Sequence, residues 1–489
     1  MSMRLADLLR DVMAVDARLD RDIQELSLDS KTIVPGAAFV ALRGTQRHGI
    51  EFAAQAVARG AAIVLAEAPL PDIVQLDVPV LVINDLRRRL GAIARRFYGE
   101  TLGGLRLIGV TGTNGKTSSV QLIAQALQAA GETSGTIGTL GTGLYGRLEA
   151  GERTTPDVIS VHRALAAMRA QGATHVAMEV TSHALSQGRV DGLDFEIAVF
   201  TNLTRDHLDF HGTMEAYGAT KAQLFAWPSL RAAVINIDDD FGAMLADQMR
   251  GGVRVIRTGT QRQDVDVYAS EVQTGVTGLS FTLWIEAERH AVATRLIGRF
   301  NVANLLGVAG VLYARGWSGT RIAAALAALD PVPGRMSRLG GDGVQPLVVV
   351  DYAHTPDALD KALSTLRDHA EARLIVVFGC GGERDAGKRP QMAALAEQKA
   401  DVVFVTDDNP RSEDGNTIVA DIRRGFAKAD AVHVERDRAR AIAQAIRMAS
   451  ANDVVLIAGK GHEPYQEIDG IKHPFDDLKV AAAVLKEAA

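Results

Sequence analysis

Apolar runs of five to eight residues, bounded by glycine, proline and acidic residues, recur along this chain with helix-length stretches between them. That alternation is the rhythm of an α/β protein. In the first hundred residues "AAFVALRG" (Ala37–Gly44), "AAIVLAE" (Ala61–Glu67) and "PVLVIND" (Pro79–Asp85) predict strands, followed by a helical stretch ending in "RRRLGAIARRFYG" (Arg87–Gly99). The glycine-containing connector "ETLGGLR" (Glu100–Arg106) marks a boundary. Beyond it, "HVAMEV" (His175–Val180), "IAVFTNL" (Ile197–Leu203) and "AAVINID" (Ala232–Asp238) alternate with helical patterns, as in a mostly parallel, helix-covered sheet. A second break falls at "LDPVPGRM" (Leu329–Met336). After it come "PLVVVDYA", "RLIVVFGCGG", "DVVFVTDD" and "DVVLIAGKGHE", the pattern of a doubly wound, Rossmann-like domain whose ligands bind beyond the strand ends. The expectation is therefore three α/β domains, 1–100, 101–332 and 333–489.

The 489 residues suffice for three domains, each with its own core. A net charge of −6 argues against a general nucleic-acid binder, so an anionic ligand must meet a local basic site. No apolar run approaches the ~20 residues of a membrane span, and no signal-peptide pattern opens the chain. The single cysteine, Cys380, excludes an internal disulfide framework and fits a reducing cytoplasm.

"GVTGTNGKTSSV" (Gly109–Val120) follows an apolar run and is either a flexible strand-to-helix turn or a cradle for nucleotide phosphates. As a cradle, Gly112 and Gly115 let the backbone N–H groups around Thr113 and Asn114 approach phosphate oxygens. Lys116 supplies a point charge, and Thr117 a hydroxyl for Mg²⁺ beside Ser118 at a helix N-terminus. The Walker A spacing is incomplete, with Val110 at its first glycine position. Mg²⁺ takes oxygen ligands, so one or two carboxylates would complete its site. Glu179, closing "HVAME", is either such a ligand or a solvated strand-end carboxylate. "TNLTRDHLDFHG" (Thr201–Gly212) gathers Asp206, His207, Asp209 and His211 in one loop, which on its own reads as a polar loop with capping aspartates.

Taken in order, "LDSK", "TGTNGKT", "TTPD", "EVTSHAL", "TNLTRDHLDFHG", "YGATKAQLF", "GRFNVANLLG", "DYAHTPDAL", "GCGGERDAGKR", "DDNPR" and "GKGHE" resemble the Mur ligase family, ATP-dependent amide-forming enzymes of peptidoglycan synthesis. The resemblance covers nearly the whole chain. It implies an N-terminal domain that binds UDP, a central P-loop ATP domain, and a C-terminal domain that binds the incoming amino acid and closes on ATP. It implies ATP and two Mg²⁺, held through Thr117 and Glu179 with His207 at the second metal. Lys221, in "YGATKAQLF", falls where the family carries a carbamylated lysine (N6-carboxylysine) that acts as a metal ligand. Asn301 and Asn304 fall where relatives contact adenine, while Arg335, Asp351 and His354 would reach ATP. For the sugar nucleotide the implied contacts are Leu28, Ser30, Thr45, Gln46 and Arg47, then Thr154, Thr155, Thr181, Ser182, Gln187 and Arg189. Lys31 stands where the family usually has arginine.

The same resemblance places the added amino acid against Arg384, Asp408, Asn409, Pro410, Arg411, Gly459 and Glu463. Diaminopimelate differs from lysine by a distal carboxylate, and a guanidinium fork binds a carboxylate bidentately. Arg411 therefore points to meso-diaminopimelate as substrate beside UDP-MurNAc-L-Ala-D-Glu, and Glu463 would pair with the distal ammonium. The implied reaction passes through an acyl phosphate, with Lys116, Lys221, His207 and Glu179 as its machinery; Cys380 reads as a small packed residue. A lysine-adding or folylpolyglutamate-type sister ligase and a P-loop small-molecule phosphotransferase stand as rivals. A monomer without nucleic-acid or membrane partners is expected.

Overall fold

β-branched runs with apolar residues on both faces become interior strands only if helices cover both sides of the sheet, and this chain does so repeatedly. The computed structural model describes residues 2–487 except 45–46, 72–74, 152, 250, 263–264, 276–277, 368 and 371. It divides into two compact units, Met1–Arg257 and Thr258–Ala489.

In the first unit, Leu26–Ser27, Ala38–Ala41, Ile63–Glu67 and Val80–Ile83 form a four-stranded parallel sheet in sequential order. Helix Leu86–Tyr98 buries Leu86, Leu90, Ile93, Ala94 and Phe97 along one face. Its Arg87, Arg88 and Arg89 stay exposed, so the arginine run is the outer face of an amphipathic helix. Within this unit a second sheet runs Arg147–Glu149, Gly141–Leu144, Ser134–Gly138, His175–Glu179, Arg106–Thr111, Phe195–Phe200 and Ala232–Asn236. From Ser134–Gly138 to Ala232–Asn236 its neighbours pair in parallel. Arg106–Thr111 sits between His175–Glu179 and Phe195–Phe200, so the ends of three strands converge where the phosphate loop begins.

In the second unit, Val267–Gly275, Gly278–Ile285 and Glu288–Thr294 form an antiparallel meander, and Phe300–Ala314 and Gly319–Ala327 follow as helices. A six-stranded sheet comes next, ordered Ser337–Gly340, Leu347–Asp351, Val454–Ala458, Leu374–Phe378, Val402–Val405 and His433–Val434. Only the first pairing is antiparallel. Leu359, Leu363, Met392 and Ile422 pack on one face, and Ile442, Ile446, Ala481 and Leu485 on the other. This is the doubly wound arrangement expected from the sequence.

A fully buried ion pair joins the first residues of helices Arg438–Met448 and Asp477–Glu487. Arg438 Nε and Nη2 each lie 2.8 Å from a carboxylate oxygen of Asp477. Nη2 also donates to Ala458 O (3.1 Å) and Nη1 to Asp407 O (3.4 Å), joining the end of strand Val454–Ala458 to the loop after Val402–Val405 across the intervening strand Leu374–Phe378. Removing one partner leaves an uncompensated charge in a dry interior. Asp477→Ala is therefore expected to lower unfolding free energy by about 3–5 kcal/mol, read from urea denaturation.

Candidate active site

The phosphate-loop sequence is a loop locked to its neighbour. Gly112 (φ 145°) and Gly115 (φ 84°) turn the chain from strand Arg106–Thr111 into helix Lys116–Ala129. A methyl at Gly112 would run into Thr201 Oγ1. Thr201 Oγ1 donates to Asn114 O (2.6 Å), Asn114 N to Asn202 Oδ1 (3.0 Å), and Thr113 N to Asn202 O (2.8 Å). Helix N-terminal N–H groups beyond such a loop favour an anion. Gly112→Ala is expected to weaken nucleotide binding at least ~10-fold in a calorimetric titration, because φ 145° strains any L side chain and the Thr201 hydroxyl that holds Asn114 O would be displaced.

Two lysines meet on one carbonyl. Lys116 Nζ donates to Gly112 O (3.0 Å) and Thr113 O (2.7 Å), and Lys221 Nζ donates to the same Gly112 O (2.8 Å). Lys221 leaves helix Met214–Ala222, lies over the Tyr217 ring at 4.4 Å and is 1% exposed. Burial, and after it the charge on Lys116, push the Lys221 ammonium well below the usual lysine range, against the pull of Asp206.

Glu179 is buried rather than solvated. Its carboxylate accepts from Thr117 Oγ1 (3.0 Å), Thr139 N (2.7 Å) and Thr139 Oγ1 (3.4 Å). The network extends through Thr139 to Thr154 (3.1 Å), and from Glu179 O through Thr155 (2.7 Å) to Thr181 (3.4 Å). Thr181 caps the helix Ser182–Ser186, and Ser182 Oγ lies 3.0 Å from His211 Nε2. A hydroxyl and a carboxylate side by side are the hard oxygen donors Mg²⁺ prefers. His207 stands apart from that pair. It is half-exposed with φ 52°, its Nε2 lies 3.4 Å from Asp206 Oδ2, and its ring packs on His183 at 4.8 Å. Its link toward Lys221 is Tyr217, whose ring centroid lies 6.2 Å away. Among the described residues no group of three or more His, Cys, Asp or Glu forms a metal set.

A cavity of about 510 Å³ opens in the same unit, lined by Leu28, Arg87, Arg153, Arg163, Gln187 and Arg189 with Asp29 and Asp157. Four arginines against two aspartates give it a positive balance suited to an anionic ligand. Arg189 Nη1 donates to Thr155 O (2.9 Å) and its Nε to Gln187 Oε1 (3.0 Å), connecting this cavity to the Glu179 network. Arg87, Arg153 and Arg163 were not singled out from the sequence. Ser30 is buried and donates to Gln55 (2.7 Å), whereas Arg47 is exposed and paired with Glu51 (2.7 Å). Thr45 and Gln46 lie outside the described residues.

In the second unit the "DDNPR" loop carries another polar cluster. Arg411 adopts φ 56°; its N–H donates to Glu467 O (3.0 Å) and its carbonyl accepts from Asp469 N (2.7 Å), so hairpin Tyr465–Pro474 holds its backbone. Arg411 Nη1 donates to Gly382 O (2.6 Å) and Nε lies 3.6 Å from Glu467 Oε2, while Nη2 has no partner among the described residues. Asn409 Nδ2 donates to Glu463 Oε2 (2.8 Å). Asp408 and Gly459 touch, since a methyl at Gly459 (φ 118°) would strike Asp408 Oδ2. Pro410 O lies against Gly382 so closely that no side chain fits there. Arg384 is exposed on the adjoining loop. Lys460 escaped the sequence reading, although "GKGHE" displays it.

Asn301 and Asn304 are buried on helix Phe300–Ala314; Asn304 Nδ2 donates to Asn301 Oδ1 (2.8 Å), and Asn301 Nδ2 to Ile297 O (2.8 Å). Asp351 Oδ2 accepts from Met336 N (2.8 Å), Arg335 lies 4.8 Å over the Tyr352 ring, and His354 Nδ1 lies 2.8 Å from Tyr352 O. Cys380 is buried against Met392 Sδ (3.8 Å), and burial pushes its thiol up to about 12, which keeps it protonated as expected of a packed residue.

A P-loop with its carboxylate and buried lysine on a parallel sheet, followed by a doubly wound domain, is an ATP-ligase architecture, and this chain belongs to the Mur ligase family. Family models match "Mur ligase family, catalytic domain" over 22–98, "Mur ligase middle domain" over 110–312 and "Mur ligase, glutamate ligase domain" over 334–461. The chain is 56% identical over 487 residues to the UDP-N-acetylmuramoyl-L-alanyl-D-glutamate–2,6-diaminopimelate ligase of Xanthomonas oryzae pv. oryzae, covering 99% of this chain and 97% of that protein. It is 53% identical over 470 residues to the ligase of the same name from Pseudomonas aeruginosa, covering 96% of each. A solved structure of a ligase of that name superposes with TM-score 0.72 at 37% identity, covering 100% of this chain and 99% of the other.

Proposed function

We propose that this chain is an ATP-dependent ligase that adds meso-2,6-diaminopimelate to the γ-carboxylate of UDP-MurNAc-L-Ala-D-Glu in cytoplasmic peptidoglycan precursor synthesis. The observation that carries the reading is end-to-end similarity to ligases of that name, in a chain whose "DDNPR" loop holds an arginine with an uncommitted Nη2. Three domains, 1–100, 101–332 and 333–489, would take the UDP part, ATP and the amino acid in turn.

The γ-carboxylate of D-glutamate attacks the ATP γ-phosphorus, the bond to ADP breaks, and an acyl phosphate forms. The amine of diaminopimelate then attacks the acyl carbon, loses a proton, and phosphate leaves with its electron pair. No side-chain nucleophile takes part, so the protein's work is alignment and charge compensation. The loop Gly112–Ser118 cradles the phosphates, and Lys116 is the cation beside them. Thr117 and Glu179 would hold Mg²⁺, with His207 and a carbamate on Lys221 at the second ion; when bound, the ions neutralise phosphate charge. Burial of the Lys221 amine and the nearby Lys116 charge, which both disfavour its ammonium form, support the carbamate: the unprotonated nitrogen adds to CO₂ and releases a proton, turning repulsion from Lys116 into attraction. Thr154, Thr155, Thr181, Ser182, Gln187 and Arg189 continue from that centre into the arginine-lined cavity, which suits the diphosphate.

Phosphate release with the nucleotide dipeptide, ATP and each candidate amino acid tests the reading. Free phosphate and a product heavier by one diaminopimelate residue are expected. Higher activity with lysine would favour the sister ligase, and phosphate transferred to a small molecule the phosphotransferase.

A further inference from the structure

The side chain between the two glycines of "GKGHE" looks, in sequence, like a phosphate-seeking lysine. In the fold it is fully buried, and Gly459 (φ 118°) and Gly461 (φ 55°) bend the chain on either side of it. Lys460 Nζ donates to Asn409 Oδ1 (2.9 Å) and to Glu463 Oε2 (3.0 Å). An amide oxygen has two lone pairs, and the second one on Asn409 accepts from Glu467 N (2.9 Å). With both lone pairs occupied by donors, Asn409 has only one usable orientation, and its Nδ2 must face Glu463 Oε2, as it does at 2.8 Å. That oxygen is thereby filled by two donors. Glu463 Oε1 has no partner among the described residues, and the carboxylate is 19% exposed.

We infer that Lys460 is a positioning residue for substrate recognition: it fixes the Asn409 amide and occupies one Glu463 oxygen, leaving Oε1 as the single acceptor for the distal ammonium of the incoming amino acid. The inference rests on the ligase reading above. Without Lys460, Asn409 Oδ1 keeps only Glu467 N and Glu463 Oε2 keeps only Asn409 Nδ2, so the carboxylate loses the one charged partner that holds its orientation. Recognition of the distal amine is then lost while the Arg411 contact to the distal carboxylate survives. A general loosening of the domain would degrade both.

The test compares kcat/KM for three amino acids in wild type and Lys460→Met: meso-diaminopimelate, 2-aminopimelate, which lacks the distal amine, and lysine, which lacks the distal carboxylate. Lys460→Met is expected to lower the diaminopimelate-over-aminopimelate preference about tenfold or more, the scale of one charged hydrogen bond. The diaminopimelate-over-lysine preference and the KM for ATP should stay within about twofold, allowing for ordinary surface-level coupling. Both preferences falling together, or the first staying intact, overturns the inference. If Lys460→Met shows no cooperative melt, Lys460→Gln, which keeps one donor and removes the charge, is expected to show the same split, and equal preferences to wild type there overturn it. A wild-type chain that makes no product from diaminopimelate sinks the ligase reading instead.

Discussion

Lys221→Ala is expected to cut turnover by ~10²–10³-fold with nucleotide affinity changed far less, the size of effect seen when one pre-positioned charge at a developing centre is removed. The expectation follows from where the amine sits. It is 1% exposed, bonded to Gly112 O at 2.8 Å and close to Lys116, so its ammonium form is disfavoured by burial first and by the like charge second. Only the unprotonated amine adds to CO₂. Carbamylation should therefore increase as pH rises through the depressed value, activity should fall in CO₂-depleted buffer, and bicarbonate should restore it. Labelling with ¹³C-bicarbonate should give a carbamate resonance in wild type that Lys221→Ala lacks. Full activity of that variant would remove Lys221 from the machinery.

The same shift has a stability consequence. Between its depressed folded value and the ordinary lysine value, unmodified Lys221 binds a proton when unfolded and none when folded. Stability of CO₂-depleted protein should then rise with pH across that window, and Lys221→Met should flatten the slope of Tm against pH.

Arg411→Ala is the second large effect: KM for diaminopimelate should rise at least ~10-fold, and the preference over lysine should collapse. The guanidinium is anchored by Gly382 O at 2.6 Å and its backbone by the hairpin, so Nη2 is presented without freedom to swing away. Arg411→Lys should not rescue, because an ammonium lacks the planar fork. The preference is checked by competition between the two amino acids; an unchanged ratio would take Arg411 out of selection.

The strands, the phosphate loop and the doubly wound C-terminal half were legible because each depends on neighbours close in sequence: apolar runs, glycine punctuation, a lysine and hydroxyl at a helix start. Val267–Thr294 was passed over, although Gly278–Ile285 does alternate inward and outward, because that meander carries no chemistry to draw the eye. The cavity arginines were hidden for another reason. Arg87 and Arg163 belong to different helices, and only packing brings them to one wall.

By itself the sequence determined where backbone must bend and which stretches must be buried, as at Gly112, Gly115 and the strand Leu374–Phe378, since steric and hydrophobic demands act locally. Tertiary structure alone decided the electrostatics. Glu179 became a buried acceptor through Thr117, 62 positions away, Lys221 met the carbonyl of Gly112 from 109 positions away, and Lys460 met Asn409 from 51. Charge interactions act through space and strengthen as water leaves, so they follow from packing that no local pattern encodes.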